Sequence, residues 1–284
     1  MRQKVMILGL GDRPDVVERV RQLTSAIEAS ADIVLTDFSG EQDLAAVDAD
    51  LAIVIGGDGA ILRAGLQMGA RQIPVLGVNM GRLGYLADVT PDELPRVFAE
   101  VCRGDYRVVE HLMFDCCVVR GQQVLASRLG LNEVTVLGGD PFSILDLDLY
   151  VDSEWATTYS CDGLIISTPV GSTAHSLSAG GPILRQSMAA FVIVPISPHT
   201  LTVRPVVDTA ERVFEITLGT PHNSTWVVVD GRTLHPLTQE DRVVVRRAVP
   251  SFKMIEVRGH SYYGTLRAKL GWGGALQKKM GGQT

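Results

Sequence analysis

Four short apolar runs in the first hundred residues constrain the fold more than any other feature of this sequence. They are KVMIL at 4–8, DIVL at 32–35, LAIVI at 51–55 and IPVLGV at 73–78. None of them alternates between apolar and polar residues, so each is predicted to be a strand that is buried on both faces. Strands of this kind are typical of a parallel sheet that is covered by helices.

Two amphipathic stretches near these runs predict such helices. The first spans residues 14–30, begins near Pro14, and places four apolar residues on one face: Val16, Val20, Leu23 and Ile27. Thr90 and Glu93 form a capping-box start for a second helix that runs to about Gly104, although Pro95 is expected to disturb its first turns. Residues 1–105 are therefore predicted to form a Rossmann-like parallel α/β domain.

The second half of the chain has a different pattern. LDLDL at 145–149 alternates strictly, and WVVVDGRTL at 226–234 carries an Asp-Gly hairpin signal at Asp230 and Gly231. Further short strands are predicted at RVFEITL (212–218), DRVVVRR (241–247) and KMIEVRG (253–259). Residues 106–260 are therefore predicted to form an all-β domain of layered sheets or a sandwich.

Charge and composition exclude several classes of protein. The net charge is −6, so no general attraction to nucleic acid or to an anionic membrane is expected. The first apolar run is too short for a signal peptide or a membrane span, and we expect a cytoplasmic protein.

The four cysteines show neither a CxxC pair nor zinc-ligand spacing, which predicts reduced thiols. Cys161 is a candidate for the wall of a binding pocket because Asp162 follows it. Cys102, Cys116 and Cys117 are predicted to lie in the core.

A glycine-rich turn follows the strand at 51–55. Gly56, Gly57 and Gly59 would let backbone N–H groups approach phosphates closely, and a helix beginning near Ala60 would add a positive dipole end. Asp58 is not explained by phosphate binding, because a carboxylate repels phosphate unless it accepts a proton, orients a hydroxyl or binds Mg²⁺. Asp58 is thus either a phosphoryl-transfer residue or a helix N-cap.

Two further segments suggest a polar ligand. DGLIISTPVGSTAHSLSAGGP at 162–182 is a short strand followed by many hydroxyls and small residues, which predicts a hydrogen-bonding pocket or, alternatively, a surface loop. Asn132 and Glu133 stand at the mouth of another apolar strand. There they either hold adjacent ribose hydroxyls or form a turn.

Together these segments resemble the bacterial NAD kinase family. The matching blocks occur in family order along nearly the whole chain: IGGDGAIL (55–62), VLGVNMGRLGYLADV (75–89), LNEVTV (131–136), CDGLIISTPVGSTAHSLSAGGPIL (161–184), PHTLTVRPVV (198–207) and SYYGTLRAKLGW (261–272). GGDG alone is also found in lipid and sphingoid kinases and, more loosely, in phosphofructokinases.

The resemblance implies an enzyme that phosphorylates the 2′-hydroxyl of the adenosine ribose of NAD to give NADP. The donor would be ATP with Mg²⁺ or another divalent metal, or inorganic polyphosphate. The active site would lie between the two domains, and residues 261–284 would return to pack on the first domain. The family also implies a homodimer or homotetramer.

The resemblance assigns roles residue by residue. Asp58 matches the catalytic acid. The positions that match the nucleotide and dinucleotide sites are Gly56, Gly57, Gly59, Arg63, Asn132, Glu133, Asp162, Thr173, Ala174, His175, Ser176, Ser178 and Arg232.

This chain departs from the family pattern at four positions. Ala60 replaces a threonine or asparagine that could touch phosphate, Val170 replaces a threonine, and His175 replaces a tyrosine. Arg232 stands where the family often has glutamine. A guanidinium there either favours a phosphate-bearing ligand such as NADP acting as a feedback inhibitor, or is simply exposed on the hairpin.

Two rival functions stay open on sequence grounds. One is a lipid or sphingoid kinase of the same superfamily, although the serine-rich segment favours a polar acceptor and no amphipathic basic helix is evident. The other is a non-catalytic sensor of NAD or NADP, which would have no need of Asp58. An NAD-dependent dehydrogenase is excluded because GLGDRP at 9–14 is not GxGxxG.

Overall fold

The computed structural model describes residues 2–9, 11, 14–81, 84–87, 89–139, 144–222, 224–257 and 262–271, without the side chains of 14–17. These residues form two compact units. One is built from Met1–Val109 together with Lys253–Thr284, and the other from Glu110–Phe252.

The strands, in chain order, are β1 Gln3–Gly9, β2 Ala31–Asp37, β3 Leu51–Gly56, β4 Val75–Asn79, β5 Arg107–His111, β6 Phe114–Arg120, β7 Gln123–Gly130, β8 Glu133–Gly138, β9 Leu145–Val151, β10 Glu154–Cys161, β11 Gly163–Ser167, β12 Ala190–Ile196, β13 Val206–Thr209, β14 Phe214–Leu218, β15 Thr225–Val229, β16 Arg232–Leu237, β17 Asp241–Arg247 and β18 Phe252–Glu256. The helices are α1 Pro14–Glu28, α2 Asp58–Gln67, α3 Leu94–Cys102, α4 His175–Ser178 and α5 Tyr262–Leu270.

The first unit contains a six-stranded sheet with the order β2-β1-β3-β4-β18-β5. β2, β1, β3, β4 and β18 pair in parallel, so the predicted parallel sheet is confirmed. Every residue of β3 and β4 is buried, in keeping with apolar runs that do not alternate. Val20, Leu23 and Ile27 of α1 lie in the core against this sheet, as predicted.

The predicted second helix begins later than expected. Thr90 does pair with Glu93, since its N–H and hydroxyl both donate to Glu93 Oε2 at 2.9 and 2.6 Å, but this contact shapes a turn that precedes the helix. The helix itself, α3, starts at Leu94. Pro95 therefore lies in the first turn, where its missing N–H costs nothing, and the predicted disturbance is wrong.

The second unit contains two antiparallel six-stranded sheets, with the orders β10-β9-β14-β17-β6-β7 and β13-β12-β11-β8-β15-β16. Apolar residues from both sheets form one core cluster, which confirms the predicted sandwich-like domain. β9 shows the alternation that predicted it, because Leu145, Leu147 and Leu149 are buried and the residues between them are half-buried.

One predicted strand belongs to a different sheet from the one expected. KMIEVRG was predicted among the strands of the β-rich domain. The structure instead places β18 in the first sheet, where Met254 pairs in parallel with Val75 of β4. Of the segment 261–284, only Tyr262–Gly271 lies within the described residues.

All four cysteines are free thiols. Cys116 and Cys161 are fully buried in the sandwich core, while Cys102 and Cys117 are only partly buried. Burial raises the pKa of Cys161 to about 11. Cys161 is therefore a core residue, and its predicted place in a pocket wall is wrong. No helix among the described residues is long and apolar enough to cross a bilayer.

Candidate active site

The glycine turn lies where β3 ends and α2 begins. Gly56 is the last residue of β3, Gly57 caps the helix in an extended conformation, and Asp58 is the first helical residue. A Cβ added at Gly57 or Gly59 would meet no described atom within 4 Å, so open space adjoins the first turn of the helix. Backbone N–H groups at a helix N-terminus are a suitable site for phosphate.

The Asp58 carboxylate binds the backbone of the segment 85–87. Its Oδ2 accepts the N–H of Tyr85 at 2.7 Å, and its Oδ1 accepts the N–H groups of Leu86 and Ala87 at 3.0 and 3.3 Å. Gly57, not Asp58, is the N-cap, so the capping interpretation is wrong. An ionised carboxylate has about four acceptor directions, and three are used here. Among the described residues, no donor uses the fourth direction, on Oδ2.

Gly84 brings this segment against the carboxylate. A Cβ at Gly84 would lie 2.1 Å from Asp58 Oδ1, so only glycine allows the observed approach. The next residue, Tyr85, has its phenol pKa raised by burial and by the charge of Asp58. Lys269 of α5 places its Nζ 5.0 Å from the centre of the Tyr85 ring. Arg82, Leu83 and Asp88 of the same motif lie outside the described residues.

Arg63, predicted to bind nucleotide, contacts protein backbone in this structure. Its Nη2 donates to the carbonyl of Ser39 at 2.6 Å. Asp37 holds the same loop, accepting the N–H of Ser39 at 2.8 Å and that of Gly40 at 3.2 Å. α2 is thereby tied to the end of β2.

In the second unit, Asn132 and Glu133 lie at the start of β8 beside the β15–β16 turn. Asp230, in that turn, accepts the N–H groups of Leu131, Asn132 and Glu133 at 2.8, 2.8 and 2.9 Å. Asp230 and Gly231 both have positive φ, +47° and +73°, as a tight Asp-Gly hairpin requires. The predicted hairpin is confirmed. The Asp230 carboxylate also binds the backbone of residues 131–133, which the sequence did not reveal.

The Glu133 side chain is buried and incompletely hydrogen-bonded. It is 7% exposed, and its Oε2 has no partner among the described residues. Burial, followed by the charge of Asp230, raises the pKa of Glu133 to about 8. A buried polar atom without a partner is costly, so Oε2 is a natural contact for a ligand. Asn132 is half-buried.

The turn at residues 167–171 (STPVG), which follows β11, packs against residues 131 and 132. Thr168 donates its N–H to the carbonyl of Asn132 at 2.9 Å, and its hydroxyl donates to the carbonyl of Leu131. A Cβ at Gly171 would lie 2.1 Å from the carbonyl oxygen of Asn132. Thr168 and Gly171 are buried, so this part of the stretch is not a surface loop.

The other predicted residues of this segment differ in exposure. Ser176 is fully buried and its hydroxyl has no partner among the described residues. Thr173 and Ala174 are half-buried, and the Thr173 hydroxyl donates to the carbonyl of Val170 at 3.1 Å. His175 and Ser178, at the two ends of α4, are exposed.

Asp162 and Arg232 are both exposed. Asp162 Oδ1 lies 3.8 Å from His199 Nε2, and the backbone carbonyl of Arg232 accepts a hydrogen bond from Arg128 at 2.9 Å. The structure thus brings Asn132 and Glu133 together with the STPVG turn and Asp230. The glycine turn, Asp58 and Arg63 belong to the other unit.

Among the described residues, no group of three or more His, Cys, Asp or Glu side chains could hold a metal ion. A Mg²⁺ ion commonly keeps several waters and is held by one or two carboxylates together with substrate phosphates.

Comparisons with known proteins identify the family of this chain. Residues 15–106 match the family described as ATP-NAD kinase N-terminal domain, and residues 131–257 match the ATP-NAD kinase C-terminal domain. An NAD kinase of Rhodopirellula baltica is 50% identical over 96% of this chain and 88% of its own length. An NAD kinase of Cellvibrio japonicus is 37% identical over 92% of this chain and 89% of its own length.

Two solved structures share the fold. A yeast NADH kinase complexed with NADH has a TM-score of 0.86 at 22% identity, covering 96% of this chain and 89% of that one. An NAD kinase from Archaeoglobus fulgidus in complex with ATP has a TM-score of 0.75 at 23% identity, covering 93% and 99%.

Proposed function

The chain belongs to the NAD kinase family, and we infer that it is an enzyme that phosphorylates NAD to give NADP with ATP as donor. The observation that carries this inference is the match to both kinase domains, in order, together with 50% identity to a relative over nearly the whole chain. The lipid kinase alternative has no comparable support.

The acceptor in this proposal is the 2′-hydroxyl of the adenosine ribose. Asn132 and Glu133 would bind the dinucleotide, since Asn132 is half-buried and Oε2 of Glu133 has no hydrogen-bond partner among the described residues. The buried Ser176 hydroxyl also has no partner among the described residues, and it would form a hydrogen bond with the same dinucleotide. The family resemblance supports these roles.

Asp58 would receive the proton of the acceptor hydroxyl. A ribose hydroxyl is too weak an acid to ionise at neutral pH, so a positioned base assists as its oxygen bonds to the γ-phosphorus and ADP departs. After the three backbone N–H bonds, Oδ2 keeps one acceptor direction that no other described residue uses. Those bonds also fix the orientation of the carboxylate before substrate arrives, which is the condition for efficient general-base catalysis.

The donor phosphates would lie at the glycine turn. Gly57 and Gly59 leave open space beside the α2 N-terminus, where the helix dipole and backbone N–H groups favour negative charge. A divalent metal would enter bound to these phosphates and would neutralise charge on them. Ala60 adds no side-chain hydroxyl to this turn, so donor contacts rest on backbone groups.

The test incubates purified protein with NAD and Mg²⁺, with either ATP or polyphosphate, and measures NADP. We expect NADP with ATP, and Asp58→Asn should lower turnover at least about a hundredfold while NAD still binds. Asp50→Asn is the matched control, because Asp50, an exposed residue just before β3, also accepts a backbone N–H, that of Lys4 at 2.7 Å. NAD binding with no NADP formed by the wild type would instead support a sensor.

A further inference from the structure

The backbone of residues 131–133 is held by hydrogen bonds at each of its polar groups. Its three N–H groups all donate to Asp230. The carbonyls of Leu131 and Asn132 accept from Thr168, and the carbonyl of Glu133 accepts the N–H of Asp230 at 2.9 Å. Every backbone polar group of this segment therefore has a partner, and one carboxylate supplies half of the partners.

We propose that Asp230 is a positioning residue of the kinase reaction, which fixes the segment 131–133 so that the side chains of Asn132 and Glu133 are set for the dinucleotide before it binds. This inference rests on the proposed function of Asn132 and Glu133. Asp230 need not touch the substrate for this role.

Only a carboxylate meets the geometric demand at this position. Oδ1 accepts two N–H groups, from Asn132 and Glu133, and Oδ2 accepts one, from Leu131. An asparagine would keep one acceptor oxygen and would turn an NH₂ group towards the remaining N–H, so a donor would face a donor. A serine would offer a single oxygen on a shorter side chain.

The hairpin gives this carboxylate its direction. Asp230 has φ +47°, which L residues adopt rarely and Asp or Asn most readily, and β15 pairs with β8 directly beside it, Val229 opposite Val134. Arg128 of β7 secures the other side of the turn by donating to the carbonyls of Arg232 and Thr233. Ligand-free protein is therefore expected to have the segment already ordered, which reduces the entropy lost on binding.

The experiment compares Asp230→Asn and Asp230→Ser with a control, Asp241→Asn. Asp241 is 1% exposed and lies on β17 of the other sheet. It accepts four hydrogen bonds, two from Thr238 and two from Arg120, and none of them involves residues 131–133. For each protein, NAD binding is measured by calorimetry without ATP, and KM for NAD and for ATP are measured from NADP formation.

We expect the dissociation constant of NAD and the KM for NAD to rise at least about tenfold in Asp230→Asn, and further in Asp230→Ser. The KM for ATP should stay within about twofold of wild type. Asp241→Asn should lower the melting temperature and leave KM for NAD unchanged. An unchanged NAD affinity in folded Asp230→Asn, or an equal loss in Asp241→Asn, would overturn the proposal.

A measurement on the wild type keeps the proposal testable if the variants fail to fold. Amide hydrogen exchange at residues 131–133 should be slow without NAD, and rapid exchange there would contradict a preformed segment. Absence of NADP from the wild type would refute the proposed function alone, because calorimetry and exchange still report on Asp230.

Discussion

Replacement of Glu133 by glutamine is expected to make the protein progressively more stable than wild type as the pH rises. The Glu133 carboxyl is 7% exposed, and burial followed by the charge of Asp230 raises its pKa from 4.5 to about 8. Between these two values the folded protein keeps the proton and the unfolded chain has lost it. The free energy of unfolding therefore falls as pH rises through this window.

The size of the effect follows from the width of the window. An interval of about 3.5 pH units at about 1.4 kcal/mol per unit corresponds to about 5 kcal/mol in total, of which about 4 kcal/mol falls between pH 5 and pH 9. Glutamine has nearly the same shape and cannot ionise, so the variant lacks this loss. Titrating groups that do not interact with Glu133 are common to both proteins and cancel in the difference; Asp230, whose charge acts on Glu133, is the exception.

The assay is urea unfolding of both proteins from pH 5 to pH 9, with the difference in unfolding free energy plotted against pH. Asp241→Asn is the control. Burial opposes ionisation of Asp241, but hydrogen bonds from Arg120 and Thr238 outweigh it and lower its pKa to about 2. Its contribution to stability is lost only as the pH falls below about 4, so its difference from wild type should stay flat over this range. A flat difference for Glu133→Gln would contradict a raised pKa of the Glu133 carboxyl in the folded protein.

Three further predictions concern the two glycine contacts and the hairpin arginine. Gly84→Ala should lower turnover at least about tenfold, because the added methyl would lie 2.1 Å from Asp58 Oδ1 and displace the carboxylate. Initial rates of NADP formation by folded protein would test this, and an unchanged rate would contradict it. Gly171→Ala should destabilise the fold by about 2 kcal/mol or more, since its methyl would overlap the carbonyl of Asn132 at 2.1 Å; urea unfolding at pH 7 measures the loss. Arg232→Gln should weaken product inhibition by NADP if the exposed guanidinium binds the extra phosphate, and identical inhibition constants for the two proteins would show that it does not.

Much of the fold follows from local patterns in the sequence. Runs such as LAIVI at 51–55, which are buried on both faces, can be recognised as strands from their own residues alone. The same holds for β9, whose residues alternate. β18 could not be placed in the same way. β18 belongs to the first sheet because it pairs with β4, which lies far earlier in the sequence. Nothing in KMIEVRG itself indicates that partner.

The site was predictable in its residue types and not in its connections. Asp58 and Asp230 both stand beside glycines in recognisable turns, yet their carboxylates bind backbone N–H groups 27 to 29 and 97 to 99 residues away. Local pattern cannot reveal bonds over such separations, because a turn looks the same whether or not its side chain reaches another segment. Cys161 shows the converse, since a residue type that is plausible in a pocket wall lies in the core.

The position of β18 between β4 and β5 has a consequence for synthesis of the chain on the ribosome. β5 leaves the ribosome before the whole second unit, but its neighbour in the sheet is complete only when residue 256 has emerged. The β-sandwich can therefore close while the first sheet still has an unsatisfied edge at β4. Nascent chains from which residues 252–256 have not yet emerged should expose the β4 edge. A chaperone that covers exposed strand edges would protect these chains in particular.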